Sequence, residues 1–425
     1  MHLNQNKLLI GYYIILLAII FLLMQPNNSV PMVIRLGLLG FLFIPVIFRL
    51  DLLPFVFLSY YGISSASFTP VLPTMPSYYI IIITVLYLIY NKKSYFLAKA
   101  IGFFLYFFVC SLFHFDLNEG LSWGLIVILI SDMVKTKKDI QMLFYSYLII
   151  SIFISLLFLI HKESFITDYR ISSTENIERS GWINPNAFGA FITIGAILSV
   201  AHLTKMLKFE ESKILNIICT LTIIITFIVL SLNASRGALL AFVIPSVLML
   251  LFSNVSLKIK ILFILVATGT FIVLLNNGVF ELLIIRMEEE SAETGGGRTT
   301  IWIDKLVPFI NDSNIFELIT GIGETATNKL GYTREISTHN DLVTAFIAYG
   351  FIGLILFIYL FIIYPIIKSP RKIRLSIAII VLYLIIEYCV LEPVFRGYII
   401  VTMFYIFILK YVYIENYNIK DNAKS

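Results

Sequence analysis

The sequence predicts an all-α protein that crosses a membrane many times and carries one large loop on its outer side. Hydrophobic residues make up 59% of the chain and charged residues only 13%, whereas soluble domains are roughly 45–50% apolar and about 25% charged. The apolar runs are continuous over about 20 residues, which indicates spanning helices rather than the alternating strands of a barrel. One long polar run, residues 276–339, interrupts this pattern.

Segmentation by hydropathy predicts about 12 to 14 spanning helices. The first apolar stretch has no small-residue cleavage site, so we interpret it as a spanning helix rather than a signal peptide. Two half-spanning neighbours around the Pro-rich segment 67–76 would reduce the number to about 12. The predicted stretches lie near 8–24, 30–48, 52–68, 77–91, 95–113, 119–133, 141–161, 184–203, 213–232, 237–253, 259–276, 339–363, 375–391 and 397–412.

Lysine and arginine placement predicts the orientation, because cytoplasmic loops are enriched in these residues. The lysine-bearing loops and the lysine-bearing C-terminus fall on one side throughout, so both termini are expected in the cytoplasm. We divide the single membrane domain into an N-terminal bundle (1–276), a large outer loop (277–338) and C-terminal helices (339–425). The other outer segments are 162–183, 233–236 and 391–397.

Several arginines fall on the outer side, although cationic residues are usually scarce there. A single one is most simply a snorkelling or structural charge. A group of them beside a polar loop indicates recognition of phosphate, which a guanidinium can bind through two parallel hydrogen bonds. The outer arginines are Arg170, Arg179, Arg236, Arg298, Arg334 and Arg396.

His339 is the strongest candidate for a catalytic base. It lies where the outer loop ends and an apolar helix begins, between Thr338 and Asn340, either of which can cap that helix. Capping does not require the imidazole, whose ordinary pKa near 6.5 suits proton abstraction at neutral pH. Because no second ligand accompanies His339 at suitable spacing, we expect neither a metal nor a cofactor.

Three further segments carry candidate residues. Arg236 lies at the outer start of a helix, where the dipole and free N–H groups favour an anion; a simple interfacial anchor is the alternative. Arg298 follows three glycines and starts an amphipathic segment with Trp302, although a flexible linker explains the same pattern. Arg179 precedes a helix start that contains Asn186. The Gly-rich segment 321–331 lacks the ending of a phosphate-binding loop, so we discount it.

Four motifs in this order resemble the O-antigen ligase and polymerase superfamily. They are RSGWINPNAFGAF at 179–191, NASRGALLAF at 233–242, GGRTTIW at 296–302 and THNDLVTAFIAYGFIGLILF at 338–357. The resemblance covers roughly residues 170–365. It implies a GT-C-like, metal-independent, inverting glycosyltransferase, which moves a glycan from undecaprenyl diphosphate to an acceptor sugar hydroxyl outside the cytoplasmic membrane.

Site roles also follow from the resemblance. Arg236 and Arg298 match arginines that contact the pyrophosphate, His339 matches the histidine that activates the acceptor, and Arg179 matches an arginine before the Asn-rich helix start. Arg334 and Arg396 complete the predicted binding set, and the supporting residues are Asn340, Asn186 and Trp302. The expected partners are the lipid-linked oligosaccharide, the acceptor glycan, the bilayer and a chain-length regulator, with no nucleic acid.

Three functional classes remain open at this stage. Within the superfamily, the aromatic- and isoleucine-rich chain favours a polymerase of repeat units over a ligase that attaches finished chains. A transporter of a lipid-linked sugar or a small anion is the main alternative, because Glu387 places a charge inside a predicted span. A purely structural scaffold would leave His339 and the outer arginines unexplained.

Overall fold

The computed structural model describes residues 11–19, 31–65, 105–107, 109–110, 112–114, 134–160, 185–210, 212–233, 235–276, 278, 298–332, 336–390 and 399–422. Every regular element in these ranges is helical, and residues 11–19 are also in a helix. A 3₁₀ turn, Leu50–Leu52, and a π-helical turn, Ile358–Ile363, accompany the α-helices. The α-helices are α1 (Met32–Phe48), α2 (Leu53–Ser65), α3 (Lys137–Ile160), α4 (Pro185–Leu203), α5 (Lys213–Asn233), α6 (Arg236–Phe252), α7 (Leu257–Asn276), α8 (Arg298–Asp312), α9 (Ile315–Thr320), α10 (Glu324–Lys329), α11 (Asp341–Phe357), α12 (Tyr364–Lys368), α13 (Arg374–Val390) and α14 (Ile399–Asn422).

The described helices have the properties of a membrane protein. Four helical segments are long and apolar enough to cross a bilayer, and α6 is a shorter apolar helix. The predicted stretches near 77–91 and 119–133 lie outside the described residues, so the number of 12 to 14 spans stays a prediction. The four segments are Lys137–Ile160, Asn186–Leu203, Lys213–Asn233 and Asp341–Lys368.

Helix α4 lies at the centre of the bundle, packed against α3, α5 and α6. Small residues let its backbone approach its neighbours closely, as in other membrane helix pairs. A Cβ added at Gly195 would stand 2.1 Å from the hydroxyl of Ser151 on α3, and that hydroxyl donates to the carbonyl of Ile192 at 2.8 Å. The phenol of Tyr383 donates to the carbonyl of Ala190 at 3.1 Å, which ties α13 to the same helix.

Helix α11 is broken near its middle at Gly350, whose φ of 69° lies in the left-handed region. A Cβ added there would stand 2.2 Å from the backbone carbonyl of Ile319, at the end of α9. Gly321, with φ 84°, makes the reciprocal approach, because its Cβ would lie 2.2 Å from the carbonyl of Ala348. Glycine is required at both positions by backbone conformation and by space.

The break frees backbone carbonyls in an apolar environment, where an unpaired carbonyl is costly. The outer loop supplies the missing donors. The N–H of Ile322 donates to the carbonyl of Ile347, and the N–H of Gly323 donates to that of Ala348, both at 3.0 Å. The discounted Gly-rich segment 321–331 therefore contributes to the structure by completing a broken helix.

A buried tyrosine completes this junction. The hydroxyl of Tyr106 donates to the carbonyl of Tyr349 at 2.9 Å, and the phenol of Tyr349 donates to the carboxylate of Glu324 at 2.7 Å. Tyr349 is itself buried. The start of α10 is therefore fixed to the break by a side-chain bond in addition to the backbone bonds.

Exposed apolar side chains lie beside the junction. Gly350 follows the start of α11 by nine residues, which is roughly 14 Å along a helix. Ile319, Phe351 and Ile352 are exposed apolar side chains beside the break, as expected where a surface faces lipid. Part of the predicted outer loop, 277–338, therefore packs against the middle of the apolar helix α11.

Candidate active site

The start of α6 packs against the last turn of α13, and α11 also packs against α13. A Cβ added at Gly237, in the first turn of α6, would lie 2.2 Å from Val390. The ring of Tyr388 in that turn lies 5.4 Å from the ring of Phe357, the last residue of α11. Hydrogen bonds join the start of α4 to that of α6, and the first turn of α8 to the turn before α11.

Arg236 opens α6 and is half-buried. The preceding residue, Ser235, occupies the N-cap position but makes no capping bond through its side chain. Its hydroxyl instead donates to Oδ1 of Asn186 in the first turn of α4 at 2.8 Å. The starts of α4 and α6 are therefore held together, and the positive end of α6 is reinforced by the guanidinium that begins it.

Arg298 opens α8 and is also half-buried. One turn later, Nε1 of Trp302 donates to the carbonyl of Thr338 at 2.8 Å. Phe309 is buried against α11, with Val343 in the same apolar cluster. These contacts lock α8 onto α11, and the predicted supporting residue Trp302 joins the arginine helix to the turn that carries the histidine.

The turn before α11 is tightly hydrogen bonded. Asn340 caps the helix, as predicted, because its Oδ1 accepts from the N–H groups of Leu342 at 2.9 Å and Val343 at 3.2 Å. The hydroxyl of Thr338 accepts from the N–H of Asn340 at 3.1 Å and lies 2.6 Å from the hydroxyl of Thr344. Thr338 and Asn340 are buried, so the turn has little freedom to rearrange.

His339 lies between these two buried residues and is itself half-buried. Its φ is 53°, in the left-handed region, which costs an ordinary residue about 1–2 kcal/mol. Among the described non-glycine residues, Lys205 is the other one with positive φ. Such backbone outliers cluster at functional sites, where the surrounding structure maintains the strain. A glycine would be easier here, yet the chain keeps an imidazole.

The large outer loop contains a structural residue that the sequence analysis missed. Lys305 is completely buried, and its ammonium group donates to the carbonyls of Thr327, of Asn328 at 3.1 Å and of Leu330 at 3.3 Å. These carbonyls end α10, where the helix dipole favours a cation. Spacing in the sequence is the signal that could have indicated this burial. Lys305 stands four residues before the apolar Phe309 and so lies on the same face of the helix.

Glu387 lies one turn before the end of α13 and is 1% exposed. It is thus near one end of the helix rather than at its middle, where a coupling charge of a transporter would be expected.

Six of the predicted site residues are described. Arg236 lies at the joined starts of α4 and α6 with Asn186, and Arg298 and His339 lie at the joined starts of α8 and α11 with Trp302 and Asn340. The remaining predicted binding residues, Arg179, Arg334 and Arg396, lie outside the described residues, and their roles stay predictions.

Comparison with known proteins agrees with the resemblance inferred from the motifs. The family model described as O-antigen ligase matches residues 221–358. This range begins within α5 and includes Arg236, Arg298 and His339. A comparison with curated proteins gives no match. The match covers about a third of the chain and supports the resemblance to the O-antigen ligase and polymerase superfamily.

Proposed function

We propose that this protein is a glycosyltransferase of the bacterial cytoplasmic membrane. It transfers a glycan from undecaprenyl diphosphate to an acceptor sugar hydroxyl on the outer side, as a polymerase of O-antigen, capsular or exopolysaccharide repeat units. The observation that supports the proposal is the hydrogen bonding of helix starts in two pairs, α4 with α6 at Arg236, and α8 with the His339 turn at Arg298. The family match implies ligase-type or polymerase-type activity.

The arginines stabilise the leaving group. When the bond between the anomeric carbon and the diphosphate oxygen breaks, negative charge grows on the diphosphate. A guanidinium can bind two phosphate oxygens at once and keeps its charge at any working pH. The first amide groups of α6 lie beside Arg236 and are not capped by the side chain of Ser235. We infer that these groups supply the charge stabilisation that a metal ion supplies in other enzymes.

His339 is the base in this scheme. Its imidazole takes the proton of the acceptor hydroxyl as the hydroxyl oxygen attacks the anomeric carbon. Attack from the face opposite the departing diphosphate inverts the configuration at that carbon. The proton passes from the imidazole to water after the step. The capping bonds of Asn340 and the buried Thr338 hold the backbone of the His339 turn in place, which limits the orientations from which the imidazole acts.

The proposed orientation in the membrane follows from the distribution of lysine and arginine among the loops. Both termini lie in the cytoplasm, the active site faces the outer side, and the lipid tail of the substrate enters from the bilayer between helices. A chain-length regulator is the protein partner we expect for a polymerase. The chain divides into segments 1–276, 277–338 and 339–425. In this division the middle segment, the large outer loop, closes over the bound sugar.

A ligase is the second candidate, because the description of the matching family names that activity. The two functions differ in what accumulates when the protein is absent. A strain that lacks the gene should accumulate single lipid-linked repeat units if the protein is a polymerase. It should accumulate long chains on the lipid carrier if the protein is a ligase. Gel separation of lipid-linked and surface glycans distinguishes these outcomes, and unchanged glycans would favour the transporter alternative.

The base assignment has its own test in the same strain. Complementation with His339→Ala should abolish chain extension at an unchanged protein level. A normal ladder of chain lengths in that variant would refute the role of His339 as the base.

A further inference from the structure

Helix α9, in the large outer loop, has an outward face that is apolar. It exposes Ile315, Phe316 and Ile319, with 78% of Ile315 and 66% of Phe316 accessible. A surface helix in water presents polar side chains to its surroundings. Contiguous exposed apolar side chains instead mark a surface that contacts a membrane or a partner.

Helix α8 leads down to α9 along the first half of α11. Trp302, near the start of α8, bonds the carbonyl of Thr338 before α11 begins. Phe309, near the end of α8, clusters with Ile347 in the third turn of α11. The outward side of α8 carries an apolar stripe at positions i, i+4 and i+7, which consists of Ile303, Val307 and Ile310.

The length of α11 and its continuation places the boundary of the hydrocarbon. The apolar segment Asp341–Lys368 has 28 residues, roughly 42 Å of helix, against about 30 Å of hydrocarbon. Side chains of residues 341–350 are buried or half-buried, so the exposed apolar face of this segment begins after the break at Gly350. Its members are Phe351, Ile352, Ile355, Tyr359, Ile363 and Ile367.

Helix α9 lies at the level where this lipid-facing surface begins. A Cβ added at Gly350 would stand 2.2 Å from the carbonyl of Ile319, near the end of α9. The carboxylate of Glu317 caps α9, and Asp312, just before α9, is exposed. Because a carboxylate in hydrocarbon is costly, α9 lies no deeper than the interface, where a helix places its apolar face among acyl chains and its polar groups among head groups.

We propose that α9 is an interfacial anchor, whose Ile315, Phe316 and Ile319 insert among the phospholipid acyl chains of the adjacent leaflet. Gly350 then marks the boundary of the hydrocarbon around α11. Lipid is the occupant because the exposed face of α9 continues the lipid-facing surface of a spanning helix. The inference makes α9 a part of the predicted outer loop that enters the membrane, and it holds for a polymerase, a ligase or a transporter.

The test is power-saturation electron paramagnetic resonance of a nitroxide on the full chain in liposomes of phosphatidylglycerol and phosphatidylethanolamine. Oxygen dissolves among acyl chains, whereas a nickel chelate stays in water, so the two relaxation reagents report which medium surrounds the label. Two of the three cysteines, Cys110 and Cys219, are buried, and Cys389 is half-buried. Cys389→Ala therefore serves as the background for labelling.

We expect a label at Phe316→Cys to be accessible to oxygen and about tenfold less accessible to nickel than a label at Asn311→Cys. Asn311 is an exposed polar residue at the end of α8 and is the matched control for water. Phe351→Cys, at the start of the lipid-facing part of α11, is the control for lipid and should behave like Phe316→Cys. Ile315→Cys repeats the measurement at a second position of α9.

The two reagents together distinguish lipid from water and from protein. Nickel accessibility at Phe316→Cys and Ile315→Cys equal to that at Asn311→Cys would place the face in water and overturn the inference. Low accessibility to both reagents would show that protein covers the face, which would also overturn it. A nickel-accessible label at Phe351→Cys would refute the boundary at Gly350 and the anchor with it.

Discussion

Gly350, within α11, and His339, two residues before α11 begins, both have left-handed backbones but differ in their surroundings. The φ of Gly350, where the helix is broken, is 69°, and the φ of His339 is 53°. At the break, glycine adopts this conformation readily and the carbonyls of Ile347 and Ala348 are paired with loop N–H groups. At the start, an ordinary residue is held in the same region between two buried, hydrogen-bonded neighbours.

The comparison distinguishes a residue that the fold requires, Gly350, from a residue that the chemistry requires, His339. Where the fold alone requires a positive φ, glycine is present and the strain is small. Where the strain is retained, the side chain itself is useful, and an imidazole is the side chain suited to proton transfer near neutral pH. Substitution of Gly350 should therefore change stability, whereas substitution of His339 should change activity.

The largest expected effect on the fold comes from Gly350→Ala. The new Cβ would stand 2.2 Å from the carbonyl of Ile319 and would also require a positive φ, so we expect a loss of about 3 kcal/mol or more. Thermal unfolding of the purified protein in detergent measures this. The control is Gly269→Ala in α7, where a Cβ would meet nothing within 4 Å. Equal stability of the two variants would show that the backbone at the break accommodates a Cβ without loss of stability.

Arg236→Lys tests the outer end with a conservative change. Lysine keeps the charge at the start of α6 but cannot bind two oxygens in parallel. We expect turnover to fall about 10- to 100-fold, as strongly as in Arg236→Ala, with little change in thermal stability. The measurement is glycan transfer by purified protein in liposomes. Full activity in the lysine variant would reduce Arg236 to an interfacial anchor.

A smaller effect is expected from the cap of α11. Asn340→Ala removes the acceptor of the N–H groups of Leu342 and Val343 and should cost about 1 kcal/mol of folding stability. Asn340→Asp retains an acceptor and is the matched control. Thermal unfolding compares the pair. If the alanine variant were as stable as the wild type, the capping bonds would not be what fixes the turn.

Much of this arrangement was predictable from the sequence because hydropathy and charge act locally. The long apolar helices among the described residues coincide with predicted apolar stretches, and the capping role of Asn340 followed from its place before a helix. The break at Gly350 and the burial of Lys305 were not predicted. Both depend on contacts between the outer loop and distant segments, where tertiary packing overrides any local preference. The bond between Trp302 and the carbonyl of Thr338 is likewise a property of the folded chain.

The most direct test of the central claim is His339→Gly, with stability and turnover measured on the same purified protein. Glycine accepts a φ of 53° without strain, and its greater freedom in the unfolded chain offsets that gain. We therefore predict a folding stability within about 1 kcal/mol of the wild type and a turnover lower by about 10²- to 10⁴-fold. Turnover close to that of the wild type would contradict the claim that the strained position is kept for its imidazole.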